Sequence, residues 1–189
     1  MRYAQKMISL LVFVLAASFG IGGCVLLYSD FSVQRHRMAQ AEKTAHANAC
    51  TLMQSEILDL QRRGADTGND TLAALAARQD AQTALWRGDP LLYAALPGLA
   101  QLPMENGSTV TVRTEGRVYA LYASDLQGGL RLVTAYELTD LYRDRDAALT
   151  RFLALEGAVL AAAALVLCFA PQIMRVYSSD DYIVRVGGE

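Results

Sequence analysis

The sequence predicts an α+β membrane protein, with two transmembrane helices flanking a domain built on a five-stranded antiparallel sheet and a long N-terminal helix. Three observations carry that prediction. Met7 to Tyr28 is a 22-residue run without a charged side chain, and Phe152 to Ala170 is a 19-residue run whose only charge is Glu156. About 20 apolar residues at roughly 1.5 Å of rise cross a hydrocarbon core of roughly 30 Å, so each run is long enough. Between them, five short segments of alternating polarity are separated by Gly-containing turns or a Pro-containing loop, the pattern of strands joined by tight connections. Finally, Asp30 to Arg63 contains neither Pro nor Gly and repeats apolar residues at spacings of three and four, which makes it helical.

Taken in order, residues 1–6 form a short basic leader and residues 7–28 the first span. Ile21-Gly22-Gly23-Cys24 has the look of a lipoprotein cleavage box, but Val25, Leu26, Leu27 and Tyr28 continue the apolar run, which favours an uncleaved span. Arg2, Lys6 and the terminal amine favour a cytoplasmic N-terminus. Arg35, Arg37 and Lys43 beyond the span pull the other way, and the first span with its leader usually dominates. Both termini are therefore expected inside and residues 29–151 outside, with residues 152–174 as the second span and 175–189 as a short cytoplasmic tail.

The long helix carries the stripe Met38, Ala41, Ala45, Ala49 and Leu52, taken over by Met53, Ile57 and Leu60. Two readings stay open: packing against its own domain, or a parallel pairing with a second copy through Met38, Ala41, Ala45, Ala49 and Cys50. Cys50 stands apart from Cys24 and Cys168, which lie in the apolar runs, so no disulfide framework or thiolate metal site follows from the three. In an oxidising compartment Cys50 is a candidate for a bridge across a dimer axis. His36 and His46 read as polar residues on the solvated face of this helix.

Gly64, Asp66, Gly68 and Asn69 break the helix, and Asp70 reads as the cap of a shorter one reaching about Arg78. Thr83 to Trp86 and Leu91 to Leu96 read as strands around the turn Arg87-Gly88-Asp89-Pro90, a turn that accounts for the adhesion-like tripeptide. Thr109 to Arg113, Arg117 to Ala123 and Leu130 to Tyr136 complete the sheet, turning at Glu115-Gly116 and at Gln127-Gly128-Gly129. A helical pattern then runs from Glu137 into the second apolar run. Sliding that span to residues 157–174 places Glu156 at headgroup level, where an unpaired carboxylate is tolerated.

The segment 29–151 holds 13 Lys and Arg against 15 Asp and Glu, a balance that excludes nucleic acid as partner. A ligand is expected between the sheet and the Pro97 to Gly107 loop, with Arg113, Arg117, Tyr119 and Tyr122 as candidate contacts, since two arginines near aromatic rings suit a small anion. Arginines on the wet face of a sheet are the plainer alternative. Asp140, Asp144 and Asp146, interleaved with Arg143 and Arg145, read as a charge-paired helix face in preference to a cation site. No cofactor and no metal is expected.

Three stretches, "DFSVQRHRMAQAEKTAHANACTLMQSEIL", "ALWRGDPLLYAALP" and "RVYALYASDLQGGLRLVTAYELTDLYRDRDAALTRFL", together resemble the sensor half of bacterial two-component sensor histidine kinases with a PAS-like, single Cache domain between two membrane helices. The resemblance covers roughly residues 1–170 and is one of architecture. It implies a signal-sensing module in the bacterial inner membrane, in contact with the bilayer, paired as a homodimer and responding to an unknown small-molecule or protein signal. The linker, phosphoacceptor histidine box and ATP-binding boxes of that family are not found, so the chain is expected to be a truncated, non-enzymatic input half. A small two-span accessory protein that binds a full-length kinase or transporter is the alternative, suited by the small residues Ser18 and Gly22.

Overall fold

The computed structural model describes residues 2–79, 82–96, 98 and 105–186. Most of the loop expected to open around a ligand lies outside the described residues. The chain divides into two compact units, Ser32–Asp144 on one hand and Met1–Phe31 with Arg145–Glu189 on the other.

The element order is α1 (Arg2–Arg62), α2 (Asn69–Ala77), β1 (Gln82–Arg87), β2 (Leu91–Ala94), β3 (Thr109–Thr114), β4 (Arg117–Leu126), β5 (Leu130–Glu137) and α3 (Thr139–Val186). The five strands form one sheet in the order β2-β1-β5-β4-β3, every neighbouring pair antiparallel. An α+β fold with a five-stranded antiparallel sheet and a long N-terminal helix is thus what the chain adopts. β4 runs three residues beyond the expected Ala123, because Ser124, Asp125 and Leu126 keep pairing with β5.

Turn chemistry fixes the register. Thr114 and Arg117 pair across a two-residue turn in which Glu115 and Gly116 both have positive φ, 50° and 78°. That is the backbone of the turn whose twist matches a right-handed hairpin. Arg87 closes another corner, donating to Asn69 Oδ1 at 2.8 Å and to the Thr67 carbonyl at 3.2 Å. Its side chain is thereby committed to holding the α1–α2 connection. The short helix is capped by Gly68 and not by Asp70, which sits in the first turn; Asp66 accepts from the Gly68 N–H at 2.9 Å and shapes the entry.

Both faces of the sheet are covered. On one, Met53 and Ile57 of α1 meet Leu72 and Leu75 of α2 over Leu85, Leu130 and Leu132. On the other, Ala84, Tyr119, Leu121 and Val133 form a second cluster joined by Leu96. Near the start of α3, Leu138 is buried among Val118, Ala120 and Tyr122, and the Val118 N–H donates to Thr139 Oγ1 at 3.1 Å.

The other unit contains the two apolar runs. Among the described residues two helices are long and apolar enough to cross a membrane, with windows of mean hydropathy 2.5 in α1 and 1.8 in α3. Leu10, Phe13, Phe19 and Leu26 expose more than half of their surface, as do Leu155 and Phe169. The helical backbone of α3 continues through Pro171 to Val186, beyond the point where a polar tail was expected to begin. A proline in a helix removes its own N–H bond and crowds the preceding turn, without obliging the helix to end.

The two runs touch through glycines. A Cβ added at Gly23 would clash with the edge of the Phe152 ring at its Cζ, and one added at Gly20 would lie 3.6 Å from Glu156 Oε1. Gly20 is eight residues inside Tyr28, about 12 Å of rise. Gly23→Ala is expected to cost about 1–3 kcal/mol by forcing the Phe152 ring aside. Thermal melts of the full chain in detergent check this: Phe152→Ala combined with Gly23→Ala should melt no lower than Phe152→Ala alone.

Candidate functional site

Glycine-free helix over a sheet ordinarily means an apolar seam, and in its C-terminal half α1 provides one. Further toward the N-terminus the seam turns polar. Glu42, His46 and Cys50, spaced by four and hence on one helical stripe, point into the sheet. Opposite them, alternate residues of adjacent strands supply Tyr122 and Ser124 from β4 and Thr134 and Tyr136 from β5.

His46 is 6% exposed and Glu42 7%. His46 therefore does not occupy a solvated helix face, as its sequence context suggested. Its Nδ1 lies 2.8 Å from Thr134 Oγ1 and its Nε2 2.9 Å from Ser124 Oγ. Cys50 Sγ is 3.6 Å from the same Nε2, so a Cys–His contact exists where the sequence showed none. An Nδ1–H donor to Thr134, with the one lone pair of Nε2 accepting from the Ser124 hydroxyl, satisfies both ring nitrogens and leaves the thiol as a longer contact. His36, by contrast, is exposed and lies 3.2 Å from Gln40 Nε2.

Glu42 Oε2 accepts from Arg35 Nη1 at 3.1 Å and from the Tyr122 hydroxyl at 2.9 Å. Its other oxygen, Oε1, is buried without a partner among the described residues, as are Gln82 Oε1 and the Tyr136 hydroxyl. Tyr136 stands edge-on to Tyr122 with centroids 5.8 Å apart. Burial, reinforced by the Glu42 carboxylate, pushes the Tyr122 phenol up to about 12, although Arg35 pulls the other way. Burial likewise raises the Tyr136 phenol and the Cys50 thiol and lowers the His46 imidazole. Thiol and imidazole are both driven toward their neutral forms, the opposite of the thiolate–imidazolium pair that a nucleophilic cysteine needs.

The lowered imidazole gives a pH dependence of definite sign. His46 ionises near 6.5 when unfolded and lower when folded, so the unfolded chain binds the extra proton first. Stability is full above about pH 6.5 and falls as pH drops from there toward the folded value. Denaturant titrations of the full chain in detergent, followed by the single tryptophan, Trp86, should show this loss, and His46→Gln should flatten it across that window.

Beside the polar row, where α1 passes the ends of β1 and β5, opens a groove of about 640 Å3. Ala45, Ala49 and Leu52 form its apolar wall, and Gln79, Gln82 and Tyr136 are among its polar lining. Among the described residues no group of three or more His, Cys, Asp or Glu side chains is arranged to hold a metal ion.

The four residues expected to receive an anion do not converge. Arg113, opposite Val118, shares the helix-facing side with Tyr122; Arg117 and the buried Tyr119 belong to the other side. Arg117 is paired with Glu137 at 3.4 Å, and Tyr122 is committed to Glu42. Of the proposed dimer stripe, Met38, Ala41 and Ala45 lie on open surface, whereas Ala49 and Cys50 are half-buried against the domain's own core. Asp140 and Arg143 form an ion pair at 2.7 Å, as the interleaved charges implied.

The polar row itself was not anticipated. Its only sequence signal is the four-residue spacing of Glu42, His46 and Cys50 together with hydroxyl-bearing residues at alternate positions of two later strands. Comparison with protein families, with curated proteins and with solved structures finds no match.

Proposed function

We propose that the chain is the membrane-bound signal-sensing module of a two-component sensor histidine kinase, with a PAS-like extracytoplasmic domain between two spans and both termini in the cytoplasm. One observation carries the reading: the sheet is bracketed in the chain by α1 and α3, each of which continues as unbroken helix into an apolar stretch long enough to span. A change at the sheet then has a mechanical route into the bilayer. The polar row gives α1 a specific grip, because hydrogen bonds to Thr134, Ser124 and Tyr122 are directional in a way that apolar packing is not. Phosphotransfer, on this reading, belongs to a transmitter outside these 189 residues, since the sequence has no phosphoacceptor or nucleotide box.

A chimera tests it. Residues 1–175 joined to the linker and catalytic domains of a well-behaved histidine kinase should autophosphorylate in membranes, and His46→Ala should change the steady-state level severalfold. Equal phosphorylation in the parent, in His46→Ala and in a version with residues 32–144 replaced by a Gly-Ser linker would sink the proposal. A membrane accessory protein is the second reading, favoured by one feature: among the described residues nothing outside its own turn of helix lies within 4 Å of a would-be Cβ at Gly22, a notch that would suit another helix.

A further inference from the structure

The polar row holds one group whose charge changes near neutral pH, and its surroundings decide which way that change acts. His46 is buried, and each ring nitrogen meets a hydroxyl, Nδ1 with Thr134 at 2.8 Å and Nε2 with Ser124 at 2.9 Å. A proton added at Nε2 turns that acceptor into a donor. The Ser124 hydroxyl, which donates there in the neutral state, then has to rotate and accept, sending its own proton toward the Cys50 thiol, its other neighbour. The ring keeps both hydrogen bonds, so what remains is the cost of a buried charge. The groups facing His46 do not offset it. From α1 these are Glu42 and Cys50, from β4 Tyr122, whose ring centroid is 5.9 Å away, and from β5 Tyr136 beside it. Glu42 is the anion of the set, and the Arg35 guanidinium at 3.1 Å already balances it. Burial holds the thiol and both phenols neutral. An imidazolium here is one uncompensated positive charge in the seam, and lifting α1 is what gives it water.

We propose that the signal read by this module is the proton: extracytoplasmic acidification charges His46 and releases residues 42–50 of α1 from β4 and β5. It rests on the sensing-module reading and names that module's signal. The release is confined to one stretch, because Met53 and Ile57 further along α1 are held by apolar contacts that pH does not touch. The stretch that loosens is the one nearer, along the chain, to the first apolar run. The sign follows from linkage. An imidazole freed to solvent titrates near 6.5 and the docked one lower, so docking is complete above about pH 6.5. Below that it weakens, by at most about tenfold per pH unit for a single proton.

The experiment follows the full chain in lipid nanodiscs from about pH 7.5 to about pH 4.5 by two measurements. NMR of isotope-labelled imidazoles titrates both histidines, the exposed His36 serving as the reference near 6.5. Hydrogen exchange, corrected for the intrinsic effect of pH, follows α1. His46 should titrate below His36, and peptides covering residues 42–50 should lose about tenfold or more of their protection over the same range, while those covering β4 keep theirs. His46→Gln, which keeps a donor and an acceptor without a titrating group, should hold its protection level throughout. An equal loss in His46→Gln would overturn the proposal. Should that variant fail to fold, the parent chain decides alone: protection unchanged down to the lowest pH, or α1 loosening while His46 stays neutral, would each overturn it. Neither measurement involves a transmitter, so failure here is distinct from failure of the kinase chimera.

Discussion

Met53→Ala is expected to cost about 2–5 kcal/mol, enough to remove a large part of the stability of a domain this size. Met53 is fully buried in the seam that α1 makes with α2 and with Leu85, Leu130 and Leu132, so truncation leaves a cavity between a helix and a sheet that cannot close independently. Denaturant unfolding of the full chain in detergent, read at Trp86, should show the midpoint falling accordingly. Leu58→Ala, at a position 37% exposed on the same helix, is the control and should cost less than about 1 kcal/mol. Equal losses in the two variants would mean that α1 does not pack on the sheet through this face.

Glu42→Ala is expected to be of similar size, about 3–5 kcal/mol, for a different reason. The substitution removes no large volume; it leaves the Arg35 guanidinium, 20% exposed, and the Tyr122 hydroxyl without their shared acceptor. Glu42→Gln retains an oxygen for Tyr122 and loses the charge, and should recover roughly half of the loss. Tyr122→Phe in the Glu42→Ala background should cost little further, because the hydroxyl then keeps only its long bond to the Ala39 carbonyl, at 3.4 Å. The same unfolding titrations measure all three, and additive losses for Glu42→Ala and Tyr122→Phe would exclude the coupling.

What the sequence made legible and what it hid divide along physical lines. The strands were readable because period-two alternation is interrupted by glycines at the turns, and α1 because a long stretch without Pro or Gly has few alternatives. The inward face of α1 was readable only in its C-terminal part, where Met53 and Ile57 lie in the core. Ala41, Ala45 and Ala49 form the apolar-looking stripe, while Glu42, His46 and Cys50, one residue and 100° further round, form the one that faces the sheet. Alanines give a hydrophobic period without enough bulk to fill a seam. Apart from Arg35, seven residues back on the same helix, the groups that reward burial of Glu42 and His46 lie 78 to 88 positions away, beyond any local pattern. The separation of the candidate anion site, however, was readable: Tyr119 and Tyr122 are three apart on one strand and so belong to opposite faces.

The glycine contacts between the apolar runs carry a consequence for stoichiometry. Gly20 and Gly23 are occupied by Glu156 and Phe152 of the same chain, so the closest approach available to the first apolar helix is already taken within one molecule. Ser18 is exposed, and a Cβ at Gly22 would meet nothing within 4 Å among the described residues. On the proposed reading as a homodimer, two copies would bring four apolar helices together, each pair already in contact within its own chain at Gly20 and Gly23.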